Sequence, residues 1–189
     1  MGKERQNQWQ SLDQFQLPLN FRGRSAITVQ LWWLVQATLF ACSPQFMYGW
    51  RRFLLRAFGA KIGKGVLVRP SVKTTYPWKL SIGDYSWVGD DVNLYTLGEI
   101  VIGRHAVVSQ KSYLCTGSHN YQTPAFDIYA KPIHVEDEAW VSADVFVAPG
   151  VTIGKGAVIG ARSTVLEDMP DGMICVGYPA KPVKPRLPS

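Results

Sequence analysis

Residues 115 to 120 read Cys-Thr-Gly-Ser-His-Asn, which sets a thiol and an imidazole four residues apart in a small polar turn between aliphatic-rich runs. An imidazole with an ordinary pKa of about 6.5 can take a proton from an alcohol at neutral pH, so His119 is a candidate general base. It is also a candidate turn residue bonded only to backbone. Cys115 raises a rival chemistry, a nucleophilic thiol carrying an acyl group. The three cysteines, Cys42, Cys115 and Cys175, leave an odd one and show no C-x-x-C spacing. That argues against a disulfide framework and for a reducing, cytoplasmic setting.

The elements that position these groups come from two segments of different character. The 189 residues are 47% hydrophobic and 18% charged, a globular composition long enough for one domain with an appended segment. From Ser25 to Trp50 there is no charge, but Thr28, Gln30, Gln36, Thr38 and Gln45 interrupt the stretch and Pro44 ends it. We expect a helix that is buried or lies at an interface, neither a membrane span nor a signal peptide. Arg51, Arg52, Arg56, Lys61, Lys64 and Arg69 follow with no acidic residue between positions 51 and 69, and the net charge is +6. Such a run attracts anions, phosphorylated small molecules or anionic lipid head groups. Nucleic acid is not expected, because no helix-turn-helix, zinc or stacking pattern accompanies the charge. "GWRRFLLRAFGA" suits a membrane surface, and equally a helix packed on the main domain.

Beyond Lys61 the period changes. Val135, Val141, Val147, Ile153, Ile159 and Val165 are six residues apart; Ile82, Val88, Leu94 and Ile100 form an earlier phase, and Ile102, Val108 and Leu114 another, two residues out of step. Neither helix nor simple strand repeats every six residues, whereas a β-solenoid does, each hexapeptide giving a short strand and a corner with its aliphatic residue stacked inward. Gly83, Gly89, Gly154 and Gly160 follow their aliphatic residues, where we expect corners with backbone angles that a Cβ would forbid. The phase fails between Leu114 and Val135, so residues 119–134 are read as an excursion with His119 at its root. The chain thus divides into an N-terminal segment with apolar and basic helices (1–60), a nearly all-β solenoid (61–170) and a tail (171–189).

These blocks, with "PWKLSIGDYSWVGDDVNLYTLGEIVIG", "SQKSYLCTGSHNY", "APGVTIGKGAVIGARSTV" and "VGYPAKPVKPR", resemble the hexapeptide-repeat acyltransferases, and within them the colanic-acid-type O-acetyltransferases of exopolysaccharide synthesis. The resemblance implies a left-handed parallel β-helix, homotrimers with active sites between neighbouring solenoids, and acetyl transfer from acetyl-CoA to a sugar hydroxyl or a lipid-linked glycan. It places the essential histidine at His119, acceptor-binding groups at Asn93 and Trp140, and a backbone donor for the thioester oxygen at Ser142 or Ala143. Small residues at Gly160 and Ala161 would admit the pantetheine arm and Lys181 would lie near the CoA phosphates, assisted by Lys155 and Arg162.

Asp84 or Glu99 is a candidate to orient the imidazole. Some solenoids of this kind are zinc enzymes with three histidines, but His105, His119 and His134 lack the close H-x4-H pair, and no metal is expected. Because Cys115 directly follows the inward-pointing Leu114, it need not face the histidine. The apolar stretch and the arginines Arg51, Arg52 and Arg56 together suggest peripheral contact with the inner face of the cytoplasmic membrane. The other class of function is a non-catalytic solenoid that docks on membrane or partner enzymes.

Overall fold

The computed structural model describes residues 9–187. Residues 61 onward form a three-sided parallel β-helix. Its first sheet, A, stacks Lys61–Ile62, Leu80–Ile82, Ile100–Ile102, Ile133–Val135 and Thr152–Ile153. Sheet B stacks Leu67–Val68, Trp87–Val88, Val107–Val108, Trp140–Val141, Val158–Ile159 and the tail strand Met173–Gly177, with Ala180–Pro185 added antiparallel at its edge. Sheet C stacks Lys73–Thr74, Asn93–Tyr95, Tyr113–Cys115, Phe146–Val147 and Thr164–Val165.

Three inward ladders fill the prism. Ile62, Ile82, Ile102, Val135 and Ile153 stack on sheet A; Val68, Val88, Val108, Val141, Ile159 and Cys175 on sheet B; Thr74, Leu94, Leu114, Val147 and Val165 on sheet C. All are buried. Each aliphatic rung contributes about 1.5–3 kcal/mol by leaving water, which is why the six-residue rule is so visible. The two-residue step lies at the corner between sheets C and A. Leu80 pairs with Ile100 and Ile82 with Ile102, so Ile100 sits beside the ladder that the first phase assigned it to, and Ile102 occupies the rung. One 3-10 turn, Pro77–Lys79, occupies that corner in an early coil.

The corner glycines have a different reason from the one expected. At Gly83 the backbone angle is ordinary, and a Cβ would lie 2.6 Å from the Gly103 carbonyl carbon of the next coil. Close stacking of coils, not left-handed backbone, excludes a side chain there. The left-handed corners are taken instead by residues such as Tyr85 (φ 58°), His105 (φ 55°) and Glu138 (φ 63°).

A parallel β-helix ends in a coil whose outer edge has no partner strand. Here helices α1 (Ala26–Val35, continued by a π turn over Gln36–Phe40) and α2 (Tyr48–Ala57) supply side chains in place of that strand. On sheet C, Trp32 Nε1 donates to the Thr74 carbonyl (2.7 Å), Trp33 Nε1 to Thr75 (3.3 Å), and Gln36 Oε1 accepts from Thr74 N–H (2.6 Å). On sheet B, Arg51 Nε donates to Val68 (2.6 Å) and Arg52 to Val66 (2.8 Å). Arg56 donates to Ile62 (3.0 and 2.7 Å) and Gly63 (2.9 Å) on sheet A.

Arg51 is fully buried and its remaining nitrogens bond Ser43 Oγ and the carbonyls of Pro44 and Gln45. This places Arg51 away from lipid, whereas Arg52 is half-buried and Arg56 exposed, both also bonded to carbonyls of the first coil. Among the described residues no helix is long and apolar enough to cross a membrane.

Candidate functional site

Leu114 points into the prism, and the chain then leaves sheet C in an antiparallel hairpin, Gly117–His119 against Ile128–Ala130, before rejoining sheet A at Ile133. Thr116 anchors its root: its N–H and hydroxyl both reach the Tyr95 carbonyl, at 3.3 and 2.5 Å. The tip is cross-braced, with Asn120 N–H to the Asp127 carbonyl (2.8 Å) and Thr123 Oγ1 bonded to the Asn120 carbonyl and Asp127 Oδ2.

His119 stands where hairpin meets tip. Its Nδ1 lies 2.7 Å from the Phe126 carbonyl. A carbonyl only accepts, so Nδ1 carries the proton of the neutral ring and Nε2 keeps its lone pair. Phe126, held at φ 53°, also stacks its ring on the imidazole at 4.2 Å and 8°, and Phe15 closes the other side at 6.0 Å. The segment bearing Phe15 is tied to the loop by Ser11 N–H to the Pro124 carbonyl, 2.7 Å. The arrangement gives a partly exposed base in a defined tautomer on a rigid support.

The carbonyl replaces the carboxylates expected to orient the ring. Asp84 Oδ1 instead accepts from Lys64 N–H at 2.8 Å, and Glu99 is exposed with its carbonyl receiving Ile133 N–H. Cys115 Sγ donates to the Gly117 carbonyl (3.2 Å); burial, and after it the neighbouring thiol, push the Tyr113 phenol up. The three histidines stand apart, His105 on the corner between sheets A and B, His134 facing out from sheet A, and His119 on the excursion. Among the described residues no group of three or more His, Cys, Asp or Glu could hold a metal.

Asn93 and Trp140 fall on different walls. Asn93 opens the sheet C strand that pairs with Tyr113–Cys115, on the same wall as the root of the excursion. Trp140 faces out from sheet B, 44% exposed, with Nε1 donating to Ser109 Oγ at 3.0 Å. The corner between C and A, where His119 leaves, is the one corner of a three-sided prism that sheet B does not touch.

Ser142, Ala143, Gly160 and Ala161 share one corner, between sheets B and C. Ser142 N–H is already bonded to the Ile159 carbonyl at 3.0 Å, which removes it as an oxyanion donor. Ala143 N–H has no acceptor among the described residues and remains available. A Cβ at Gly160 would meet Val176 Cγ1 at 2.6 Å, an internal contact beside the groove expected to take the pantetheine arm. Ala161, on the next residue, is exposed. Lys181 lies in the antiparallel edge strand, ion-paired with Glu167 on the surface. Lys155 and Arg162 are likewise exposed, 3.5 Å from Glu138 and Asp144.

Residues 132–167 match the six-repeat bacterial transferase hexapeptide family. Over 178 residues the chain is 62% identical to the colanic acid biosynthesis acetyltransferase WcaF of Escherichia coli K12, covering 94% of this chain and 98% of that protein. This chain is a hexapeptide-repeat acetyltransferase. It is also 27% identical to the galactoside O-acetyltransferase of E. coli, over 71% of this chain and 68% of that one. Among solved structures, a maltose O-acetyltransferase from Clostridium difficile superposes with a TM-score of 0.78 at 24% identity, covering 85% of this chain and 89% of the other. A hexapeptide-repeat acetyltransferase from Vibrio cholerae, complexed with acetyl-CoA, gives 0.77 at 24%, over 86% and 91%.

Two features of the structure escaped sequence reasoning. The partners of His119 are Phe15, more than a hundred residues upstream, and a backbone carbonyl, which no residue type announces. The second is a trough of about 820 Å³ on sheet B, floored by Trp87, Val107 and Trp140. Its signal is available in the strand register, because Trp87, Val107 and Trp140 are successive outward positions.

Proposed function

We propose that the protein transfers acetyl from acetyl-CoA to a sugar hydroxyl during bacterial exopolysaccharide synthesis, with His119 as general base in sites shared between neighbouring copies of a homotrimer. The observation that carries this reading is the Nδ1–H to Phe126 carbonyl bond, which leaves Nε2 free to accept a proton. As the acceptor oxygen attacks the thioester carbon, Nε2 takes its proton. The tetrahedral intermediate then collapses, the C–S bond breaks, and the imidazolium returns the proton to the departing thiolate. Ala143 N–H is the backbone donor offered to the transient oxyanion. The names of the relatives support the donor and the acceptor class, and the opposite placement of His119 and Trp140 supports the shared site.

A lipid-linked acceptor would bring the protein to the inner face of the cytoplasmic membrane. The contact then falls to the outward face of α1, where Ile27, Leu31 and Leu34 recur at helical spacing and are 81, 50 and 62% exposed. The test is acetylation of de-O-acetylated colanic acid and of lipid-linked sugars with radiolabelled acetyl-CoA. Thiol release without labelled sugar, or no release with any of them, would end this reading.

A further inference from the structure

The trough on sheet B lies apart from the excursion that carries His119 and takes Trp140, the expected acceptor-binding residue, into its floor. Its floor is the outward row Leu67, Trp87, Val107 and Trp140, one residue from each of four successive strands. Adjacent strands lie about 4.8 Å apart, so the two indoles stand about 10 Å apart with the smaller Val107 between them. Trp87 is 54% exposed on the single chain, and with Trp140 at 44% it makes a continuous apolar floor. Trp140 is fixed by its bond to Ser109. The Trp87 N–H has no partner among the described residues and is a free donor on the floor. Tyr48 of α2 closes the trough toward the cap, and Arg186, which bonds the Glu138 and Gly156 carbonyls, toward the C terminus.

The chemistry of floor and rim selects the occupant. Three cations, Arg69, Lys111 and Arg186, are balanced by Asp90, Asp91 and Glu138, and Arg69 is paired with Asp90 at 2.8 Å. A rim without net charge does not select phosphates, and six charged groups around the edge do not select an acyl chain. A sugar ring has C–H faces to lay on indoles and hydroxyls at its edge to exchange hydrogen bonds with such a rim, and the volume suits a ligand of a few rings.

We propose that the trough between Trp87 and Trp140 is a saccharide subsite that holds sugar residues of the acceptor beside the one being acetylated. The proposal rests on the acetyl-transfer reading for the identity of the acceptor, and on the trough alone for the binding.

Titration calorimetry with a one-repeat oligosaccharide from de-O-acetylated colanic acid tests it without turnover. The wild-type protein should bind, Trp87→Ala should weaken Kd at least tenfold, and Trp87→Phe should recover most of the loss, all at unchanged molecular mass in solution. No binding by the wild type, or equal Kd for Trp87→Ala, overturns the subsite. A lower mass for Trp87→Ala also overturns it, because the trough would then be a contact between copies. Binding that follows these expectations with no acetylation of the same oligosaccharide counts against the transfer reading and leaves the subsite standing.

Discussion

Phe126 holds His119 in two ways at once, through a carbonyl that accepts from Nδ1 at 2.7 Å and a ring stacked on the imidazole at 4.2 Å. The backbone of Phe126 sits at φ 53° to do both, a conformation that costs a non-glycine residue about 1 kcal/mol or more and that the braced loop imposes. The orientation of this imidazole is a property of the loop.

Replacing His119 by Ala should therefore lower kcat about a hundredfold or more while acetyl-CoA affinity and the circular dichroism spectrum stay near wild type. A base acts in the transition state and adds little to ground-state binding. Thiol release and calorimetry together check this; retention of most of the activity would remove His119 from the mechanism.

The opposite placement of His119 and Trp140 makes a shared site testable by mixing. His119→Ala and Trp140→Ala subunits, each nearly inactive alone, should regain about a quarter of the wild-type activity when co-assembled at equal ratio, the fraction of interfaces that draw both native residues. Mixtures no better than the separate variants would place each site within one chain.

Cys115→Ser should keep substantial activity, because the thiol is engaged with Gly117 and Tyr113 and no covalent step uses it. Intact mass spectrometry under turnover should show no acetylated protein. An acetyl adduct on Cys115 would reverse the order of the two candidate centres.

Arg51→Met should destabilise the fold by about 3 kcal/mol or more, since the Val68 carbonyl and the Ser43 hydroxyl lose their donor where water does not reach. Lysine, with one ammonium for a branched set of bonds, should restore little. Thermal unfolding measures both, and a melting point equal to wild type for Arg51→Met would remove the capping role.

The proposed lipid contact separates from the arginines. Ile27→Asp with Leu34→Asp should release the protein from anionic vesicles in a flotation assay while transfer to a soluble sugar continues. Unchanged flotation would move the contact elsewhere.

The solenoid was legible because its interior demands one branched aliphatic residue every six positions, and nothing else in the chain competes with that rhythm. The break after Leu114 was legible for the same reason. Arg51 misled because a carbonyl edge attracts a guanidinium much as an anionic lipid does, and only the end of the strand stack shows which one is present. Gly160 shows the limit of a small residue as a signal, since a missing side chain marks a close approach without naming what approaches. The partner of His119 had no residue-type signature at all.

The side-chain cap on the first coil has a consequence for assembly. Stacked coils with a bare edge would accept another molecule's coil as readily as their own, and a chain of such contacts has no natural end. Tryptophan, glutamine and arginine side chains occupy that edge in a form that no strand can copy. Chain cleaved before Ala60 would expose it, turning a particle of fixed length into a seed for filaments.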